Sequence, residues 1–279
     1  MAIVFFLGPS IIGYSVFFFI PFLLGIYYSF VDNMFAANLV WLDNYIALFK
    51  SSSFRLAARN TLFFTCLCVP LNVVISLLLA MLVNQKIYCR SVFRTLLVSP
   101  LVIPVASVVV FWRIIFHESG VMNAFFSFLD IVPINWLNTD WSVVVILIIY
   151  LWKNIGYSLV LFLAGLQNIP AQYYESSYID GANWWTRFTK ITLVYLTPTT
   201  FFVFIMSIIN SFKVFREVYL MEGDYPHAKI YMLQHYMNNT FASLDYQKLT
   251  SAAFIMGIVV YILVFILFVF EKKISKDLW

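Results

Sequence analysis

Residues 167–198 read QNIPAQYYESSYIDGANWWTRFTKITLVYLTP, from Gln167 to Pro198, a polar amphipathic island between two long apolar runs. Pro170 suits the first turn of a short helix. Tyr174 and Tyr178 then fall one turn apart on one face, with Ser177 beside them and Glu175 opening the polar flank. Gly181 allows a sharp bend, because a residue without Cβ adopts positive φ at little cost. Asp180 is placed to cap the next helix. Trp184, Trp185 and Phe188 form an aromatic belt of the kind found at a membrane interface, and Ile191 starts the next apolar run. The pattern is a small helix lying parallel to a membrane. Taken alone, it fits equally a helix that rests on lipid and one that presents a patch to a partner.

The rest of the chain supplies the membrane. Of 279 residues, 63% are hydrophobic and 11% charged, and the mean hydropathy is +0.90. Soluble domains carry about 25% charge, so a soluble fold of this length lacks the polar residues to cover its surface. The net charge of +4 is small and dispersed, which gives nucleic acid nothing to bind. Cys66 and Cys68 lie in an apolar run and Cys89 in a short basic segment. This odd number without metal-ligand spacing implies neither a disulfide framework nor a zinc site.

A spanning helix needs roughly 20 apolar residues. Six stretches qualify, near 3–30, 60–84, 95–116, 142–166, 191–212 and 249–270. The expectation is an all-α protein with six transmembrane helices in one domain, 1–279, with 167–190 as its polar loop. The first stretch has no basic n-region or cleavage site and exceeds signal-peptide length, so it reads as a retained helix that can tilt or kink at Pro9 and Pro21. Lys86, Arg90, Arg94, Arg187, Lys190, Lys272, Lys273 and Lys276 crowd the short segments 85–94, 167–190 and 271–279. The opposite segments are about twice as long and hold a similar number, among them Lys50, Arg55, Arg59 and Lys229. By density the first set is cytoplasmic, which places both termini inside.

The spacing inside the loop is specific. Glu175-Ser176-Ser177, three residues, Gly181, nine residues and Ile191-Thr192-Leu193 resembles the Glu-Ala-Ala signature of ABC-transporter permeases. Serines replace the two alanines, Val194 stands where a first proline is usual, and Pro198 matches the second. The likeness extends over nearly the whole chain: Phe6-Leu7-Gly8-Pro9, Asn44-Tyr45, Asn60-Thr61, Arg94 with Pro100 and Pro104, Gly120 with Asn123 and Trp136, and Trp152 through Tyr157. Met221 through Pro226 sits where a Thr-x-Gly-Gly-Pro turn is common.

The closest resemblance is to carbohydrate-uptake permeases of the maltose and glycerol-3-phosphate importer type (MalF/UgpA-like). It implies the importer-permease (MetI-like) architecture, with Tyr174, Glu175, Ser176, Ser177, Tyr178, Asp180, Gly181 and Ala182 coupling to an ATPase. It also implies the partners: a second homologous permease, two ATP-binding subunits carrying ATP and Mg, an extracytoplasmic solute-binding protein and a carbohydrate, within the bacterial cell membrane.

Intramembrane polar residues line cavities or tie helices together. Tyr150, Trp152, Asn154 and Tyr157 in the fourth stretch, with Ser207, Asn210 and Ser211 in the fifth, are the candidates for lining a sugar pathway; Lys153 lies among them. Taken singly, each more often ties helices. Arg113 reads as an interface anchor, and His117, His227 and His235 as surface or loop histidines. Asn238-Asn239-Thr240 fits a glycosylation sequon that a bacterial membrane protein ignores. No glycine precedes a lysine, so no P-loop exists and the chain carries no cofactor of its own. The rivals are a permease for a sugar phosphate or glycerol-3-phosphate-like solute, an ion-coupled secondary transporter, which would show inverted repeats and membrane carboxylates, and an intramembrane enzyme, for which no catalytic constellation is visible.

Overall fold

A computed structural model describes residues 2–33, 38–85, 88 and 90–276. Lys86 and Cys89 lie outside the described residues. The helices are α1 (Ala2–Tyr14), α2 (Ile20–Tyr28), α3 (Asp43–Lys50), α4 (Ser52–Asn84), α5 (Arg90–Val98), α6 (Val105–Ile115) and α7 (Val121–Phe128). They continue as α8 (Ser142–Gln167), α9 (Ala171–Ile179), α10 (Trp184–Arg187), α11 (Leu193–Tyr195), α12 (Thr197–Lys213), α13 (Phe215–Glu222), α14 (Leu233–Ala242) and α15 (Tyr246–Lys276). Among the described residues, five segments are long and apolar enough to cross a membrane: Phe6–Tyr28, α4, α8, Thr197–Glu222 and Tyr246–Lys273. The fold is all-α, and no strand forms among the described residues.

The third apolar stretch is not one straight helix. The Arg90–Leu101 and Val105–Ile115 segments meet at 101°. Pro104 is the cause: it sits at the N-cap of α6 with ψ 142°, it cannot donate a backbone hydrogen bond, and it disfavours helical geometry at Ile103. The fifth span also differs from its sequence reading. It runs Thr197–Glu222 rather than 191–212, because Pro198 occupies the first turn of α12 and the helix continues past Lys213 into α13.

Two compact units result. The first comprises Met1–Ala58 and Leu233–Tyr261. There Asn44 Nδ2 donates to the carbonyls of Ser29 (3.0 Å) and Val31 (2.9 Å), and Tyr45 Oη donates to Ser29 Oγ at 2.8 Å, so the turn after α2 is closed by side chains. His235 is fully buried on α14 rather than at the surface. Burial pushes its imidazole down to about 4, which leaves it neutral at pH 7.

The second unit comprises Arg59–Met232 and Ile262–Trp279. Its core joins α4, α8 and α12 through Val73, Leu77, Ala80, Leu159, Phe162, Leu166, Leu196 and Val203. Inside this apolar packing Asn72 Nδ2 donates to Ser158 Oγ (2.9 Å) and Ser207 Oγ (2.8 Å), linking all three helices. Thr65 Oγ1 and Ser211 Oγ lie 2.9 Å apart and repeat the α4–α12 link. Asn60 Nδ2 ties α4 to the carbonyls of Ala228 (2.6 Å) and Tyr231 (3.0 Å). Asn123 closes the segment after α6, accepting from Trp136 Nε1 at 2.9 Å and donating to Ile134 O at 2.8 Å.

Gly156 lets α8 approach the α5 backbone, since a Cβ there would meet Leu97 O at 2.1 Å. Gly156→Ala must therefore push two backbones apart, an overpacking cost of about 1–3 kcal/mol. Gly8→Ala meets nothing within 4 Å and should be neutral or better, because alanine favours helix. Thermal unfolding of the purified transporter should show a lowered midpoint for Gly156→Ala alone.

Candidate functional sites: a docking helix and a mid-span cavity

The polar island folds as a bracket on the end of α8. Pro170 caps α9 in extended geometry (φ −60°, ψ 131°). At its far end Gly181 takes φ +72°. Ala182 N–H then donates to Ser177 O (2.9 Å) and Gly181 N–H to Tyr178 O (3.2 Å), the paired bonds of a Schellman termination. The bend expected at Gly181 is thus present, and a β-carbon there would be strained. Asp180 does not cap the next helix. Asn183 does, its Oδ1 accepting from Thr186 N–H at 2.8 Å. Asp180 comes too early in the chain, still within the turn that ends α9.

One face of α9 is anchored and the other is open. Tyr174 packs on the core of α4, α8 and α12, and its hydroxyl lies 2.9 Å from Thr192 Oγ1, just before α11. Arg187 lies over the Tyr178 ring at 3.8 Å and donates to Ala182 O at 2.9 Å, which braces the turn. Glu175, Ser176, Tyr178 and Asp180 are exposed, and Ile179 is 88% exposed at the tip. No salt bridge among the described residues uses Glu175. Trp184 and Phe188 stack at 5.4 Å where the chain turns back toward α11.

The second site lies midway along α8. A cavity of about 180 Å³ is lined by Tyr150, Lys153, Asn154, Asn210, Lys213 and Glu217, with Arg216, Leu101, Ile149 and Val214. Leu101 comes from the break before α6, so the 101° bend helps to open this space. Lys153 Nζ pairs with Glu217 Oε1, while Glu217 Oε2 is buried and unbonded. Asn154 Nδ2 donates to Tyr150 O at 2.8 Å.

The pathway candidates divide. Asn154, Asn210 and Tyr150 border this cavity, but the Tyr150 hydroxyl is spent on Ser207 O at 2.8 Å. Ser207 and Ser211 are 2% exposed and face α4, where they accept or share the bonds described above; they tie helices. Trp152 packs edge-on to Trp112 at 5.6 Å, joining α8 to α6, and Tyr157 is half-buried. Arg113 borders another cavity together with His117. Among the described residues no cluster of three or more His, Cys, Asp or Glu is placed to hold a metal.

Glu217, Lys213 and Arg216 were missed by hydropathy because their charges interrupt the apolar run and so end the span on paper. The available signal was their spacing: Lys213 and Glu217 are four apart on one helical face. Removing one partner of the buried pair should cost about 3–5 kcal/mol. Lys153→Met should therefore destabilise the purified transporter strongly. Lys153→Met with Glu217→Gln should recover most of that loss, as read by unfolding midpoints in detergent.

Residues 45–279 match the family described as the binding-protein-dependent transport system inner membrane component. The probable ABC transporter permease protein YesP of Bacillus subtilis is 32% identical over 272 residues, covering 94% of this chain and 88% of that protein. The arabinooligosaccharides transport system permease protein AraP of the same organism is 33% identical over 221 residues, 77% of this chain and 70% of its own. In fold, a bacterial ABC transporter involved in alginate import superposes with a TM-score of 0.83 at 23% identity, covering 96% of this chain and 93% of that one. With its apolar spans, its signature spacing and its bracketed α9, the chain belongs to the inner-membrane permease family of binding-protein-dependent transport systems.

Proposed function

We propose that this chain is the carbohydrate-translocating permease subunit of a bacterial ATP-driven importer. The observation that carries the reading is the split character of α9: rooted through Tyr174 in the α4–α8–α12 core, yet open to a partner along Glu175, Tyr178 and Ile179. The solute class is supported by relatives named for arabinooligosaccharides, for trehalose and maltose in Thermococcus litoralis, and for lactose in Rhizobium radiobacter. The family match is what disposes of an ion-coupled transporter. Scarcity of carboxylates does not, since Glu217 is buried within the fifth span.

In this mechanism the open face of the Tyr174–Ala182 segment seats in an ATPase subunit, with Tyr174 as its root in the permease core. A second homologous permease completes the pathway, two ATPases supply ATP and Mg, and an extracytoplasmic binding protein delivers the sugar. Closure of the ATPases moves α9, and the Tyr174–Thr192 link passes that movement to α11, α12 and α8 as a rigid-body rotation. Asn154, Asn210 and the Lys153–Glu217 pair then change their exposure to the two sides of the membrane. Tyr157, Trp152, Ser207 and Ser211 act on this pathway through helix packing. Both termini and α9 face the cytoplasm.

Glu175→Lys places a cation against whatever receives the carboxylate, and Gly181→Val strains the positive-φ turn. In the complex of both permeases, ATPases and binding protein, each should abolish sugar uptake while the subunit remains in the membrane. Normal uptake with normal ATPase copurification in both variants would remove α9 from coupling. For orientation, cysteines at Ser52 and Ser243 in a cysteine-free background should react with an impermeant thiol reagent in intact cells, and one at Ser91 should not. The reverse pattern would put α9 outside, where no ATPase can meet it.

A further inference from the structure

The mid-span cavity has a charge pattern that a site for neutral sugar does not require. Its lining holds Lys153, Lys213 and Arg216 against the single carboxylate of Glu217. Lys153 and Glu217 satisfy each other. Lys213 and Arg216 line the cavity and are exposed, and neither has an acidic partner among the described residues. Both lie within the Thr197–Glu222 span, where ionisable groups are costly and mark function unless compensated.

The carboxylate is incomplete in the opposite sense. Glu217 is 4% exposed and its Oε2 has no hydrogen-bond partner. A buried acceptor without a donor costs its full desolvation. The cavity therefore lacks two things, a donor for Glu217 Oε2 and an anion for Arg216 and Lys213. A neutral oligosaccharide supplies the first only. A simple anion supplies the second only. A sugar that carries an acid group supplies both.

We propose that this cavity selects an anionic carbohydrate. A ring hydroxyl donates to Glu217 Oε2, and the acid group docks against Arg216 and Lys213. Asn154 and Asn210 flank the ring between them. The guanidinium fork accepts a carboxylate or a phosphate with equal geometric ease, so the acid belongs to a uronic sugar or to a sugar phosphate. This assignment rests on the carbohydrate-permease reading and narrows it.

The test uses the assembled transporter in lipid nanodiscs with three probes: trigalacturonate, glucose 6-phosphate and the neutral galactotriose. One of the anionic probes should bind at least roughly tenfold more tightly than galactotriose, the scale of one charged hydrogen bond. Its affinity should fall as salt rises. The double variant Lys213→Gln, Arg216→Gln should weaken the favoured anionic probe by roughly tenfold more than galactotriose and so erase that preference; both positions are exposed, so the fold is not at stake. Glu217→Gln should weaken all three. The identity of the tighter anionic probe separates uronate from phosphate. Galactotriose binding as well as the anionic probes, or a double variant that weakens all three alike, would overturn the anionic assignment and leave the carbohydrate reading intact. A complex that hydrolyses ATP but binds none of the three would overturn both.

Discussion

A single buried amide organises the membrane core. Asn72 is wholly inaccessible on α4, and its Nδ2 reaches Ser158 on α8 and Ser207 on α12. At hydrocarbon depth there is no water to replace those partners. Each such bond contributes only about 0.6–1.7 kcal/mol, but the pair constrains rotation and register as bulk apolar packing cannot. Everything functional hangs from the helices so fixed. Midway along α8 sit Lys153 and Asn154, and α9 comes directly after its end. From α12 the chain runs on into α13 with Lys213, Arg216 and Glu217.

Helix α9 and the cavity are thus two features of one packed frame. Gly156 and Gly165 allow the close packing that makes the frame stiff: Cβ atoms there would meet Leu97 O at 2.1 Å and Leu196 Cδ2 at 2.7 Å. Tyr174 connects the frame to α9 by packing and by its bond to Thr192. By contrast Phe6, Phe17, Phe18, Tyr261 and Phe265 leave large apolar surfaces open on the first and last spans. In the proposed mechanism this close packing carries a push at α9 to Glu217.

Much of this was legible in the sequence. Apolar runs of membrane length located the spans, and the Glu175–Gly181–Ile191 spacing located the bracket and its left-handed turn. Three things were not legible, each for a physical reason. Hydropathy sums over windows, so it passed over the break that Pro104 makes in the third stretch and stopped the fifth at Lys213, which put Glu217 in a loop. Periodicity finds the polar face of a helix but not its neighbour, so Ser207 and Ser211 read as pathway when they face α4. Local caps depend on single residues of backbone phase, so Asn183 rather than Asp180 begins α10. His235 gave no signal, because a buried neutral imidazole leaves no mark on composition.

The proposed mechanism requires α9 to be the surface through which a partner drives the α4–α8–α12 frame. Hydrogen exchange at the backbone amides of residues 171–182 tests it directly, comparing the permease pair in nanodiscs with and without its ATPase subunits. Slowing of about tenfold or more is expected across Ala171–Ala182 when the ATPases are present, with little change in the amides around Asn123 and Trp136. Equal exchange of 171–182 in the two samples, with ATPases bound and turning over ATP, would contradict it.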